Sequence, residues 1–337
     1  MTGYSARILR WPKSTSRTAH PSDSLAAAVA ALAELARRPF KKGSTSGRAS
    51  ILAIGLAVFA LAGLLSRSAI AQELDRDSAL YAVEHWNSTC CNTTECKTVE
   101  SWSEMASGWY NEIRSLANHG SLAFKDNSQY YVDGSLKQDW FTDEDRTAYG
   151  NDVNYIDKFD AAIVAFHGHV DDGAGNWRGS MRVKNVDDEC LLEPAEMQLG
   201  DGDMENLVMS SCHSGTKSTF DYWSSGFRWA FSGGLQEVNG FHGLMWISTG
   251  YTDEYADFAS DGFDTNVASA WLDNLYKYRS GIDSQCPVSF AGGSTLWEGL
   301  GYLTGYDYTD WGSDPDGSTY WSRTGIAGCN PEDAPAW

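Results

Sequence analysis

The chain has 337 residues with a formal net charge of −20, and 42% of its residues are hydrophobic. This apolar content is enough to form a core, which excludes disorder for most of the chain. The charge is divided unevenly, because residues 1–71 carry ten Lys or Arg and two acids, whereas residues 72–337 carry 15 and 43. An acidic body repels polyanions at long range, so we expect neither nucleic acid nor an anionic membrane surface as a partner.

The basic N-terminal segment has the features of an export signal. Ile51–Leu65 is an uncharged apolar run of 15 residues, followed by an Ala-Ile-Ala pattern that ends at Ala71. A membrane span needs roughly 20 residues. We therefore predict a signal peptide cleaved after Ala71 and a secreted or periplasmic protein, with an uncleaved anchor as the alternative. Arg37–Lys42 resembles the twin-arginine pattern, which leaves the export route open. No linker or repeat divides residues 72–337, which predicts a single domain.

The cysteine count fits an exported protein. An odd number of cysteines leaves one thiol over when the others pair. If Cys212 is set aside for the reasons given below, six cysteines remain, enough for three disulfides whose pairing the sequence leaves open. A zinc site is the alternative, but no pair of C-x2-C motifs is present. The seven cysteines are Cys90, Cys91, Cys96, Cys190, Cys212, Cys286 and Cys329.

Apolar periodicity predicts the regular elements of the body. Apolar residues three to four apart indicate helices over Ser101–Asn118 and from Phe263 to about Tyr278. Short unbroken apolar runs indicate strands that are buried on both faces. Alternation of the two predicts an α/β fold, a three-layer sandwich with a mostly parallel central sheet. The predicted strands are Ala161–Phe166, Arg178–Val183 (after a turn at Gly173–Asn176), Leu207–Met209, Phe241–Ser248 and Val288–Ala291.

Two of the predicted strands end in residues that carry chemistry. His167 and Gly168 follow Ala161–Phe166, and Cys212 follows Leu207–Met209 after two serines. In parallel sheets functional residues gather at the carboxyl ends of the strands. A cysteine and a histidine placed there can form a nucleophile and its base, and the backbone N–H groups of Gly168 and Cys212 could hold an oxyanion. A helix starting near Ser214–Ser218 would further favour a thiolate at Cys212.

These motifs resemble those of the caspase–hemoglobinase clan of cysteine peptidases. A hydrophobic strand ending in His-Gly precedes a strand ending in Cys by about 45 residues, and Cys212–Gly215 is similar to the Cys-His-Ser-Gly of metacaspases. The segment Asn239–Ile247 resembles a block of uncharacterised bacterial caspase-like proteins of a domain-of-unknown-function family. The resemblance covers roughly Tyr155–Ala291 and implies a caspase-like fold and a Cys–His dyad.

The sequence departs from the metacaspase pattern at two points. Ser210 and Ser211 stand where metacaspases usually carry an aspartate that helps to recognise basic residues, so trypsin-like specificity does not carry over. The histidine is ambiguous as well, because alignment on His-Gly selects His167 and alignment on Gly-His selects His169. We prefer His167, since it lies nearest the strand and neighbouring side chains point apart. The lesser candidates are His213 and His242.

We expect no cofactor, although several acidic loops have the oxygen-rich character that calcium prefers. None of them has EF-hand spacing, and a solvated acidic surface explains such loops equally well. The acidic loops are Asp171–Gly173, Asp187–Glu189, Asp201–Glu205 and Asp310–Asp316.

Three functions remain open at this point. The first is a cysteine endopeptidase acting on a peptide or protein, and the second is a non-catalytic secreted binding domain on the same scaffold. The third is a glycoside hydrolase, in which paired carboxylates would act in a tryptophan-lined cleft. Trp102, Trp109 and Trp271 occupy core-like helix positions, whereas Trp223, Trp229 and Trp246 flank the cysteine segment and could wall a pocket.

Overall fold

The computed structural model describes residues 76–86, 98–133, 136–170, 177–181, 190–216, 234–277, 284–309 and 320–329. All of them belong to one compact unit that spans Ser68–Trp337. The predicted apolar run, the twin-arginine pattern and the cleavage position after Ala71 lie outside the described residues. Among the residues that the structure describes, none of the helices has the length and apolar character needed to cross a bilayer.

Twelve strands and five α-helices are present in the described part of the chain. The strands are β1 (Asp77–Ala82), β2 (His85–Trp86), β3 (Thr98–Val99), β4 (Asp126–Val132), β5 (Ala161–Ala165), β6 (Gly168–Val170), β7 (Trp177–Ser180), β8 (Leu191–Leu192), β9 (Asn206–Ser210), β10 (Glu237–Phe241), β11 (Pro287–Gly293) and β12 (Tyr320–Gly325). The helices are α1 (Trp102–Ile113), α2 (Leu116–His119), α3 (Thr252–Asp264), α4 (Val267–Leu275) and α5 (Leu296–Gly305).

Seven strands form the central sheet in the order β12-β11-β10-β9-β5-β1-β4. The pairs β4–β1, β1–β5, β5–β9 and β9–β10 are parallel, whereas β10–β11 and β11–β12 are antiparallel. The sheet is therefore mostly parallel, as predicted, with an antiparallel edge. A second, three-stranded sheet has the order β6-β7-β8, and β2 pairs with β3 as a short hairpin.

The core lies on both faces of the central sheet. Along β1, Leu80 and Ala82 pack into one hydrophobic cluster, while Ala79 and Tyr81 pack into another. The first cluster is covered by α1, α3 and α4. In the described residues the second is covered by the small sheet and by short 3-10 turns rather than by α-helices. The three-layer arrangement thus holds, but its second outer layer differs from the helical one that the prediction implied.

Three predicted strands and one predicted hairpin lie close to where they were expected, and the predicted strand Val288–Ala291 lies within β11. Ala161–Phe166 corresponds to β5 and Leu207–Met209 to β9, and every residue of both strands is buried. The predicted strand at Arg178–Val183 corresponds to β7, which pairs with β6 in an antiparallel hairpin. The turn predicted between them falls outside the described residues.

Three predictions need correction. Phe241–Ser248 is not a strand, because β10 ends at Phe241 and the rest of that apolar run is irregular. The helix expected from Phe263 is divided between α3 and α4, since the Asn266 side chain accepts a hydrogen bond from the Ser269 N–H and starts a new helix. The helix expected over Ser101–Asn118 ends at Ile113.

The cysteines divide into paired residues and one thiol in the described chain. Cys286 and Cys329 form a disulfide, and Cys190 is also disulfide-bonded. Cys212, the residue that the sequence set aside, is a buried thiol. The other three cysteines lie outside the described residues.

Candidate functional site

The carboxyl ends of β5 and β9 lie side by side in the central sheet. Ala165 pairs with Ser210 in the parallel register, and the Phe166 N–H donates to the Ser210 carbonyl at 3.3 Å. His167 and Cys212 each follow this paired row by two residues. The sheet therefore brings the predicted base and the predicted nucleophile to neighbouring positions at one edge.

Cys212 begins a tight turn that is anchored to β10. The Gly215 N–H donates to the Phe241 carbonyl at 2.8 Å, and the Phe241 N–H donates to the Ser214 hydroxyl at 3.1 Å. His213 adopts a left-handed conformation with φ of 61°, and its N–H donates to the Gly243 carbonyl at 2.6 Å. These bonds hold His213, the residue after the predicted nucleophile, in a conformation that few non-glycine residues adopt. The helix predicted to start here is a turn over the described residues 212–216.

The sulfur of Cys212 is enclosed but has a polar neighbour. Only 8% of the residue is exposed, and it packs in the cluster under α1, α3 and α4. The backbone N–H of Met245 donates to Sγ at 3.4 Å. A donor aimed at sulfur stabilises a thiolate, the nucleophilic form of cysteine. Met245 lies in the apolar run that was predicted as a strand, so its irregular backbone delivers a donor to the site.

Gly168 lies directly against the backbone of the Cys212 turn. A Cβ atom added to Gly168 would lie 2.2 Å from the Cys212 carbonyl oxygen and 2.3 Å from the Ser211 hydroxyl. It would also lie 2.4 Å from the indole nitrogen of Trp177, which itself donates to that hydroxyl. Only glycine permits this approach, so the predicted oxyanion residue and the predicted nucleophile are in contact through their backbones.

His167 lies in a polar niche that the sequence did not predict. Its Nε2 is 2.6 Å from a carboxylate oxygen of Glu100, and its ring meets the ring of Trp102 edge to face at 5.4 Å. Burial lowers the pKa of His167, and the carboxylate of Glu100 partly opposes that change. The lowered pKa favours the neutral imidazole, which is the form that a general base requires.

The other candidate histidines have different surroundings. His169 is exposed on β6, where it lies opposite Arg178 in the hairpin. His242 follows β10 and is fully buried, and its backbone N–H donates to the Cys286 carbonyl. His213 sits in the turn itself and is 8% exposed. His167 follows β5, and its ring contacts a carboxylate in a half-buried site.

A second carboxylate–histidine pair lies at the same edge of the sheet and was also missed. Asp133, after β4, accepts the N–H groups of Glu84 and His85, and it contacts Nδ1 of His85 as well. Burial raises the pKa of Asp133, but these hydrogen bonds outweigh it and hold the pKa below its ordinary value. His85 has 36% of its side chain exposed, which makes it a rival base to His167.

The β2–β3 hairpin brings Glu100, which the sequence did not predict as a site residue, to the carboxyl ends of the central strands. Val99 pairs with His85, and the Glu100 N–H donates to the Glu84 carbonyl at 3.1 Å. This pairing joins residues that are about 15 positions apart in the chain. Two-residue strands give no periodic signal, so no pattern in the sequence could have placed Glu100 beside His167.

Of the acidic loops, the segment Asp201–Glu205 is the one that the structure describes. Carboxylate oxygens of Asp77, Asp160 and Asp203 lie within 4.8 Å of one another at the amino ends of the strands. This is the opposite edge from Cys212. Burial raises the pKa of Asp160 to about 8, so this carboxyl is protonated at neutral pH. The remaining loops considered for calcium lie outside the described residues.

A cavity of 540 Å³ opens beside the Cys212 turn. His242, Val288, Arg323 and the Cys286–Cys329 disulfide contribute to its walls. A Cβ atom added to Gly215 would lie 2.1 Å from the Val288 side chain, so one wall of the cavity packs directly on the turn. Cys212 itself is not among the residues that line the cavity.

The tryptophans divide as predicted where the structure describes them. Trp102, Trp109 and Trp271 are fully buried in the core, which removes them from any sugar-binding platform. Trp246 is half-buried in the segment after β10. Trp223 and Trp229 lie outside the described residues.

The fold and this edge define an α/β protein with a mixed seven-stranded sheet and a cluster of cysteine, histidine and acidic side chains at the carboxyl ends of its strands. The family described as Domain of unknown function (DUF6345) matches residues 85–310, which is more than half of the chain, so the chain belongs to this family. The matched range includes Glu100, His167, Gly168 and Cys212. No curated protein matches the chain.

Proposed function

We propose that the protein is an exported cysteine-dependent hydrolase with a caspase-like site, acting as an endopeptidase. The observation that carries the proposal is the register of β5 and β9, which sets His167 and Cys212 at equal positions beyond the paired residues Ala165 and Ser210. The contact between Gly168 and the Cys212 carbonyl supports it, since a substrate carbonyl bound there would lie near both backbone N–H groups.

The reaction begins with proton transfer from Cys212 to the neutral imidazole of His167. A carboxylate beside Nε2 favours the tautomer that carries its hydrogen on Nε2, which leaves Nδ1 as the acceptor. The thiolate forms a bond to the peptide carbonyl carbon, and the N–H groups of Gly168 and Cys212 stabilise the oxyanion. The C–N bond then breaks as His167 returns the proton to the leaving amine, and a thioester remains.

Water completes the turnover. His167 takes a proton from a water molecule that attacks the thioester carbonyl, the C–S bond breaks, and the carboxylic acid leaves with the thiol restored. The cavity between His242 and Arg323 would hold substrate residues next to the scissile bond. The overall step is hydrolysis, so it requires no oxidant or reductant.

The decisive experiment is labelling with an acyloxymethyl-ketone or epoxide thiol probe. The wild-type mature protein is expected to be labelled once, at Cys212, and Cys212→Ala should not be labelled. His169→Ala is a matched control, because that side chain is exposed on the neighbouring strand β6. Equal labelling of the wild type and Cys212→Ala would overturn the proposal.

One observation favours a second function, a non-catalytic secreted binding domain. Cys212 is only 8% exposed, which is the environment of an inert structural thiol as well as of a sheltered nucleophile. A small alkylating agent separates the two. If iodoacetamide modifies Cys212 in the folded protein no faster than after mutation of His167 to Ala, the binding domain is the better account.

A further inference from the structure

Resting on the proposed function, we propose that Glu100 is a positioning residue, which orients the imidazole of His167 and stabilises its protonated form during the reaction. The sequence motifs that define the dyad do not include this residue. Its role follows from contacts that only the folded chain brings together.

Glu100 and His167 are in direct contact through their side chains. A carboxylate oxygen of Glu100 lies 2.6 Å from Nε2 of His167, the separation of an ion pair when the imidazole is protonated. The Glu100 side chain is 24% exposed and that of His167 is 20% exposed, so solvent screens the pair only in part. The negative charge of Glu100 raises the pKa of His167, against the effect of burial.

Glu100 is itself held in place by hydrogen bonds to its side chain and to its backbone. The indole nitrogen of Trp102 donates at 3.0 Å to the same carboxylate oxygen. Trp102 is the first residue of α1 and is fully buried, and its ring packs edge to face on His167. The backbone of Glu100 is bonded to Glu84 through the β2–β3 hairpin. The carboxylate therefore has a fixed position from which it can set the ring of His167.

The negative charge of Glu100 favours the protonated form of His167. Burial lowers the pKa of His167, and Glu100 acts against burial. During acylation His167 must carry the proton taken from Cys212, so a nearby negative charge stabilises the imidazolium at the time when it forms. The carboxylate also fixes which ring nitrogen faces the reaction.

The test compares Glu100→Gln with Glu104→Gln, a neighbouring exposed glutamate on α1. The glutamine retains an oxygen that can accept the Trp102 N–H but loses the charge. We expect Glu100→Gln to slow probe labelling of Cys212 by about 10-fold, less than loss of the base itself because His167 remains, and to shift the lower limb of the pH profile to lower pH. Glu104→Gln should behave as wild type. Glu100→Asp should recover part of the rate.

A second measurement reports on His167 without requiring activity. In the Cys212→Ala background, NMR titration should show a lower pKa of His167 after Glu100→Gln, because the raising effect of Glu100 is lost. Thermal unfolding of each variant shows whether the fold is intact.

The outcomes of the labelling experiment separate the two proposals. If the wild type labels at Cys212 and Glu100→Gln labels at the same rate with the same pH profile, the positioning role is overturned while the hydrolase proposal stands. If the wild type shows no Cys212-dependent labelling, the proposed function fails and the positioning role fails with it. If Trp102→Phe, which removes the indole N–H, also slows labelling, the result supports the proposed chain of contacts.

Discussion

Ala165 and Ser210 are paired partners on parallel strands β5 and β9, and this pairing determines the geometry of the candidate site. Each is followed two residues later by a residue that carries chemistry, His167 in one strand and Cys212 in the other. The backbone therefore fixes the relation between the proposed base and the proposed nucleophile before any side chain contributes. Loops that approach the same edge add the Met245 N–H and the Glu100 carboxylate.

A single methyl group at Gly168 should disturb the candidate site directly. Gly168→Ala places its Cβ 2.2 Å from the Cys212 carbonyl oxygen, so the turn must move. We expect a loss of about 1–3 kcal/mol in the free energy of unfolding, as for overpacking elsewhere, together with slower labelling of Cys212. Gly301→Ala is the matched control, because a Cβ there meets nothing within 4 Å and alanine favours the helix α5. Wild-type labelling by Gly168→Ala would contradict the close approach.

The candidate histidines can be ranked by mutation. His167→Ala should reduce the rate of Cys212 labelling by at least about 100-fold, because it removes the general base. His169→Ala should retain the wild-type rate. His85→Ala tests the rival pair with Asp133, and it should also retain most of the rate. If His85→Ala abolishes labelling and His167→Ala does not, the base has been assigned to the wrong pair.

Glu237 should make the folded protein less stable as the pH rises. It is fully buried on β10, and burial raises its pKa from 4.5 to about 8, with Asn239 opposing the rise. Between these pH values the folded state keeps the proton that the unfolded state has lost. The stabilising contribution is thus complete below about pH 4.5 and is lost as the pH rises through 8.

Glu237→Gln should therefore lose less stability than the wild type between pH 5 and pH 8, by an amount of the order of several kcal/mol. Urea unfolding at both pH values measures the difference. Asp152 and Asp160 also have pKa values raised to about 8 by burial, so the variant keeps a smaller dependence in the same window. Glu104→Gln, on the exposed face of α1, is the control. Identical pH dependence in Glu237→Gln and wild type would show that Glu237 is not held neutral.

The Cys286–Cys329 disulfide should stabilise the part of the sheet formed by the antiparallel strands β11 and β12. It closes a loop with a sequence separation of 43 that contains β11, α5 and β12. Replacing both cysteines by alanine should lower the free energy of unfolding by about 2–4 kcal/mol, chiefly through the entropy of the unfolded chain. Cys212→Ala should cost less, since it breaks no cross-link. An unchanged midpoint of denaturation in the double variant would contradict this expectation.

The bounds of a strand can be predicted from the sequence where its residues are apolar and uniformly buried. They cannot where buried residues are polar. β5 and β9 were predictable because every residue in these runs serves the core. The predicted strand Phe241–Ser248 begins where β10 (Glu237–Phe241) ends. Glu237 and Asn239 are polar and yet completely buried, so a prediction from apolar residues alone places the strand too late in the chain. The break at Asn266 between α3 and α4 has the signature of a cap, but the four-residue apolar repeat continues across it.

The same reasoning explains which parts of the site could be predicted. His167, Gly168 and Cys212 could be found because they follow recognisable strands. Glu100 and the His85–Asp133 pair could not, because they depend on a hairpin of two-residue strands and on the end of β4, which is half exposed. Contacts made between short, irregular segments have no period along the chain. They become visible only after the chain is folded.

The parallel pairing of β5 and β9 sets the relative positions of His167 and Cys212 independently of the length of the chain that connects the two strands. Parallel neighbours require a crossover, and here the crossover carries the small β6-β7-β8 sheet. Residues can be inserted into or deleted from that crossover without altering the Ala165–Ser210 register. We therefore expect the interval of about 45 residues between His167 and Cys212 to vary in length among members of the family, outside the parts of β6 and β7 that contact the Cys212 turn. A search that demands a fixed spacing would miss them, whereas one that demands two buried strands ending in His-Gly and in Cys would not.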